Sequence, residues 1–180
     1  MKTGGFGGET TLTGLRFEKE VDFQDLLAKV PGYTLKEIDG EAGKGVYFKG
    51  TLHARCFRKH GFYNYLDEIR VPWRKMLSKQ LLPDDALLVI VRETLFIIEV
   101  KFQQVPGSVD EKLQTCDFKK KQYQKLTREM GLKVEYVYVL NDWFKHDSYK
   151  DVLDYINSVG CHYRFGTIPL SWLGLPEEKP

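Results

Sequence analysis

Apolar positions along this chain follow two periods, and the changeovers mark the elements. Between residues 14 and 29, Phe17, Val21, Leu26 and Leu27 recur at helical spacing and Val30 continues the series. That pattern predicts a helix with Thr13 as its cap and Pro31-Gly32 as its stop. Residues 33–38 read as a strand, Asp39-Gly40 as a turn and residues 46–49 as a second strand. Residues 51–80 keep neither period and read as an insertion with short helical pieces. Two continuous apolar runs follow, 86–91 and 95–102, preceded by Asp84-Asp85 and separated by Arg92-Glu93-Thr94. At that length they are strands rather than helices, and a tight turn between them makes them antiparallel. Helical spacing returns over residues 108–130, with Leu113, Cys116, Tyr123, Leu126 and Met130 on one side and Gly131 as the stop. A strand at 132–140, a helix from Asp147 to Ser158 closed by Gly160, and a last strand at 162–168 complete an α/β chain.

Composition narrows this picture. With 180 residues, 42% of them hydrophobic, the chain is read as one domain spanning 1–180 with a substantial core. Residues 1–12, with Gly4, Gly5, Gly7 and Gly8, are expected to form a flexible N-terminal arm. Neither a long apolar run nor an export signal is evident, so no membrane partner is expected and the location is read as cytoplasmic. Cys56, Cys116 and Cys161 are odd in number and widely spaced, which suits reduced thiols rather than a disulfide framework or metal ligands. His53, His60, His146 and His162 form no metal-spaced pair.

Charge is uneven. Residues 49–79 carry eight Lys/Arg against Asp67 and Glu68, and residues 101–130 carry seven against four acids, on a chain of net charge +2. A local positive field suits a phosphate-bearing partner, although a lysine-rich solvated surface has the same composition. In 51–80, Arg55, Arg58, Lys59, Arg70, Arg74, Lys75 and Lys79 are the candidates for neutralising phosphates and reading guanine edges. The aromatic residues among them either pack that segment on the core or stack on bases.

The chemistry lies in the second apolar pair. Alternate residues of a strand share a face, so Glu99 and Lys101 point the same way, and the hairpin brings Asp84 alongside Glu99. Two hard carboxylates suit Mg²⁺, which polarises a phosphoryl oxygen and activates water, and a neighbouring lysine stabilises developing charge. By itself E-x-K also describes a surface ion pair. Gln103 shares the face of Glu99 and Lys101 and is either a phosphate or water contact or a polar strand end. Ser108, Glu111 and Lys112 stand at a predicted helix N-terminus, which favours anions. Lys119, Lys120 and Lys121 either follow a DNA backbone or form a solvated helix face.

Pro83-Asp84 followed by Glu99-Val100-Lys101 resembles the motif of the PD-(D/E)XK nuclease superfamily, with a likeness covering residues 13 to 140. The run from Glu99 to Lys112 is most similar to type II restriction endonucleases. The resemblance implies an αβββαβ core, a central mixed sheet flanked by helices, here with the insertion at 51–80 as a DNA-recognition element. It implies metal binding by Asp84 and Glu99, a catalytic Lys101, and a first-helix glutamate for which Glu18 is the match. Mg²⁺ is the implied cofactor, with Mn²⁺ as a substitute. The implied products are a 5′-phosphate and a 3′-hydroxyl. Double-stranded DNA is the implied partner, and a homodimer follows from cutting two strands with one site per chain. A structure-specific repair nuclease or junction resolvase, and a catalytically inactive DNA-binding protein on the same fold, are the alternatives. Asp85 adjoins Asp84, and a register shift would exchange their roles; Asp84, the residue after proline, is the preferred ligand.

Overall fold

Strand-forming runs of this chain join into one seven-stranded sheet whose order in space is its order in sequence. In the computed structural model, residues 14–17, 22–105 and 109–178 are described. Five strands, β2 (Tyr33–Glu37), β3 (Lys44–Phe48), β4 (Thr51–Arg58), β5 (Asp85–Val89) and β6 (Thr94–Lys101), pair antiparallel in succession. The next two, β7 (Lys133–Leu140) and β8 (His162–Phe165), pair parallel to β6 and to each other. Parallel neighbours need a crossover. Helices α4 (Val109–Leu113) and α5 (Cys116–Thr127) supply the first, and α6 (Lys150–Ser158) the second. The molecule is thus α/β, with a mixed sheet between helices.

Both faces of the sheet are covered, and this is why the β5 and β6 runs are apolar without alternation. One face carries Leu95, Ile97, Tyr136, Tyr138 and Leu140 into a cluster with Phe62, Leu113, Tyr123 and Leu126. The other carries Leu87, Phe96, Ile98, Val137 and Val139 into a cluster with Phe23, Leu26, Leu27 and Ile168. No described helix is long and apolar enough to cross a membrane.

Four expectations are corrected. The helix expected over 14–29 is a strand and a short helix, β1 (Gly14–Arg16) and α1 (Phe23–Ala28), with the predicted cap Thr13 outside the described residues. Leu15 and Phe17 are buried, and Leu15 stands opposite Ile168 in a separate pair with β9 (Thr167–Pro169), so the apparent helical phase of Phe17, just after β1, with Leu26 was coincidental. The helix itself starts at Asp22, whose carboxylate accepts the Asp25 backbone N–H at 2.9 Å, an N-cap.

Residues 51–80 are not an irregular insertion. They begin with β4 inside the sheet, between β3 and β5, and continue through α2 (Gly61–Glu68) and α3 (Trp73–Met76). Burial of Ala54, Arg55, Cys56 and Phe57 in succession erased the two-residue period. The helix expected over 108–130 is interrupted at Gln114-Thr115, where the Thr115 hydroxyl donates to the Lys112 carbonyl. The last strand is two, because Gly166 (φ 63°) turns the chain from one sheet to the other.

Glu135 on β7 shows how the sheet's far end is held. Its carboxylate lies 2.5 Å from Lys133 Nζ and accepts from His162 Nε2 at 2.9 Å. Burial pushes its pKa up, but the Lys133 and His162 hydrogen bonds and the Lys133 and Lys120 charges outweigh burial and bring it below the ordinary 4.5. A carboxylate with a lowered folded pKa stabilises the fold above its unfolded pKa, and the contribution fades as pH falls through the folded value. Glu135→Gln is therefore expected to cost about 1 kcal/mol at pH 7. The difference should shrink from pH 4.5 downwards in urea titrations. A difference independent of pH would contradict this account.

Candidate functional site

Strand register assembles the site. Asp85 pairs with Ile98, so Asp84 stands one step further on, across from Glu99. The Asp84 Oδ2 atom accepts the Val100 backbone N–H at 2.9 Å and lies 3.4 Å from Lys101 Nζ. The same ammonium lies 3.1 Å from Glu99 Oε2 and 3.3 Å from the Val100 carbonyl oxygen. Three oxygens of different origin, two carboxylate and one peptide, therefore converge on one cation.

Glu99 is 3% exposed. A buried carboxylate needs compensation, since desolvation costs several kcal/mol. Lys119 on α5 supplies part of it, with Nζ at 2.7 and 2.9 Å from the two Glu99 oxygens. Tyr136 on β7 donates its hydroxyl to Oε1. Burial pushes the Glu99 pKa up, and the charges of Lys101 and Lys119 with the hydrogen bonds of Lys119 and Tyr136 bring it below the ordinary value. For Lys101, burial acts downwards and is outweighed by Glu99 and Asp84, so its pKa lies above the ordinary value. Glu99 is an anion and Lys101 a cation at neutral pH.

Helices on the same face fix the approach to Asp84. The hydroxyls of Tyr63 on α2 and Tyr123 on α5 donate to the Leu81 carbonyl at 3.1 and 2.8 Å. The Leu81 N–H returns a bond to Tyr63 Oη at 2.7 Å. The chain is thus clamped three residues before Asp84. Tyr138 on β7 donates to the Lys112 carbonyl at 3.1 Å and ties α4 to the sheet.

Asp85 belongs to the opposite face. It is 2% exposed, and its pKa is pushed up to about 8 by burial and by the Asp22 charge, with Arg58 and the Phe23 backbone N–H opposing. Asp84, not Asp85, joins Glu99 and Lys101. Glu18 and Ser108 lie outside the described residues. Gln103 follows β6 with its backbone held on both sides by Asn141, at 3.2 and 2.8 Å. Its side-chain amide is buried, with no hydrogen-bond partner among the described residues.

The cations expected at DNA divide into three groups. Lys59, Arg70, Lys75, Lys79 and Lys112 are exposed and in no ion pair among the described residues. Arg58 is exposed and pairs with Asp22 at 3.0 Å, and Arg74 pairs with Asp67 at 2.6 Å and stacks on Trp73. Arg55, Lys119 and Lys120 are committed internally. Arg55 is buried, lies 3.0 Å from Glu41 and 3.2 Å from Glu68, and donates to the Ala42 carbonyl. Lys120 donates to the Gly160 carbonyl at 2.5 Å. Arg55→Ala is accordingly expected to destabilise the fold by about 1–3 kcal/mol, because the buried guanidinium's bond to the Ala42 carbonyl and its packing over Phe57 and Tyr65 are lost. A normal urea midpoint with weakened DNA binding would instead make Arg55 a DNA contact.

Sequence reasoning missed Lys119, Tyr136, Tyr63 and Tyr123 as members or supports of the site. A signal existed for Lys119. It falls on the stripe Cys116, Tyr123, Leu126 at helical spacing, all buried, where a lysine needs a buried anion.

Among the described residues, no three His, Cys, Asp or Glu side chains gather at one point. Mg²⁺ does not require that, since it binds through one or two carboxylates, waters and substrate phosphate. The oxygens of Asp84, Glu99 and Val100, which already surround one cation, fit such an ion. The chain matches no family model, no curated protein and no solved structure.

Proposed function

We propose that the protein is a Mg²⁺-dependent endonuclease of the PD-(D/E)XK kind that hydrolyses double-stranded DNA, acting as a type II restriction endonuclease and as a homodimer. The convergence of Asp84, Glu99 and Val100 oxygens on the Lys101 ammonium carries this reading. Asp84, Glu99 and the Val100 carbonyl would hold the metal, with Mn²⁺ as a substitute. A bound Mg²⁺ supplies Lewis-acid polarisation of the phosphoryl group and of water. Lys101 stays protonated and, with part of its side chain at the surface, can stabilise negative charge developing on the phosphate oxygens. The exposed Lys59, Arg70, Lys75, Lys79 and Lys112 can neutralise phosphates. The order of antiparallel β4, β5 and β6, then α4 and α5, then parallel β7, supports the αβββαβ assignment.

Incubation of plasmid DNA with Mg²⁺ should give discrete fragments, and EDTA should abolish them. Sequencing the ends reads out specificity and the 5′-phosphate together. One observation favours a second reading, a structure-specific nuclease such as a repair enzyme or resolvase. Residues 51–58 are a strand inside the sheet, which leaves only residues 59–80 outside it as a module to read bases. A panel of linear, mismatched and branched duplexes separates the two: cutting only branched or mismatched DNA selects the second. Absence of cleavage of every substrate with Mg²⁺ and with Mn²⁺ rejects both.

A further inference from the structure

We infer that Lys119 is a displaceable counter-ion of Glu99, a latch that a divalent metal must open by driving the Lys119 ammonium off the carboxylate. The inference rests on the metal site proposed above.

The bonds at Glu99 carry the argument. Oε1 accepts from Lys119 and Tyr136, while Oε2 lies near both Lys101 and Lys119. Both oxygens are engaged twice, so a metal approaching to about 2.0–2.1 Å must take the place of a donor. Charge leads to the same point. Asp84 and Glu99 balance Lys101 and Lys119 one for one, and a divalent ion added to that neutral group is repelled by both ammoniums.

Three donors could leave, and their settings differ. Tyr136 is fully buried on a central strand. Lys101 faces the metal position and yields Asp84, Glu99 and the Val100 carbonyl to the ion in any case, which still leaves Lys119 on both Glu99 oxygens. Lys119 has Glu99 as its only partner among the described residues, and its side chain is 26% exposed. It sits on a flexible four-carbon stem with water within reach. Its helix need not move, because Lys120 is pinned to the Gly160 carbonyl at 2.5 Å and Lys125 to the Met76 carbonyl at 2.6 Å. Lys119 is thus the donor with least to lose.

Binding energetics follow. Part of the metal's affinity is spent on breaking the Lys119–Glu99 pair, and removing the ammonium removes that opposition. A merely structural lysine would behave oppositely, since its loss would loosen the site and weaken metal binding.

The experiment titrates Mn²⁺ into the full-length protein without DNA and reads free Mn²⁺ by electron paramagnetic resonance. Wild type, Lys119→Met, Lys119→Gln and Asp84→Ala are compared, with circular dichroism checking each fold. Lys119→Met should bind Mn²⁺ about tenfold or more tightly than wild type, the scale of one charge-assisted hydrogen bond. Lys119→Gln keeps a hydrogen bond without the charge and should also bind more tightly. Asp84→Ala should bind more weakly. Equal or weaker binding by both Lys119 variants, with Asp84→Ala impaired, overturns the latch and leaves the metal site standing. Binding by none of the proteins, or undiminished binding by Asp84→Ala, overturns the metal site and the latch with it.

Discussion

Lys101→Met is expected to lower the single-turnover rate of Mg²⁺-dependent DNA cleavage by about 10²–10³-fold, the usual loss when one preorganised charge-stabilising donor is removed. The substitution leaves the carboxylates in place. Glu99 retains Lys119 and Tyr136, and Asp84 retains the Val100 N–H, so the fold and the oxygen donors persist. What is lost is a protonated group within 3.4 Å of both carboxylates that also reaches the surface where a phosphate would lie. Mn²⁺ binding should therefore survive while cleavage does not, and the change should appear in the rate rather than in DNA affinity. A variant cleaving within tenfold of wild type would remove Lys101 from the chemistry.

Glu99→Ala should be the most damaging single change to stability at the site, about 3–5 kcal/mol by urea unfolding. Its removal strands a buried Tyr136 hydroxyl and leaves Lys101 and Lys119 without their shared anion. Glu99→Gln keeps an acceptor for Tyr136 and should cost less, although it too should lose Mg²⁺-dependent cleavage. The ranking separates two roles of one residue: stability follows the hydrogen bonds, and activity follows the charge. If Glu99→Ala unfolds at the wild-type urea concentration, the carboxylate is not the hub that its neighbours make it.

The trio Asp84, Glu99 and Lys101 was legible in sequence because both rules behind it are local. Side chains alternate along a strand, and a short connection forces antiparallel pairing. Lys119 and Tyr136 were not legible as partners because their contacts with Glu99 come from a helix and a parallel strand, whose register no short-range pattern specifies. The same limit explains Arg55. Its charge suggests surface, yet Arg55 is buried and meets Glu41 from a loop and Glu68 from α2 at the rim. Strand β4 was lost where two-sided burial removed the alternation, and β1 where Phe17, which follows it, fell by chance in phase with a helix.

The agreement between spatial and sequence order in the main sheet has a consequence for assembly. Each strand of that sheet finds its neighbour in the next strand along the chain, so the entropy of closing loops is met in instalments. The small sheet is the exception. Gly14 pairs with Pro169, enclosing nearly the whole chain in a single loop. Formed first, that pair would restrain everything between; formed last, it joins a segment that α1, packed on one face by Phe23, Leu26 and Leu27, leads in from the β2 edge to one that leaves β8 at the opposite edge, and acts as a clasp on a structure that exists without it.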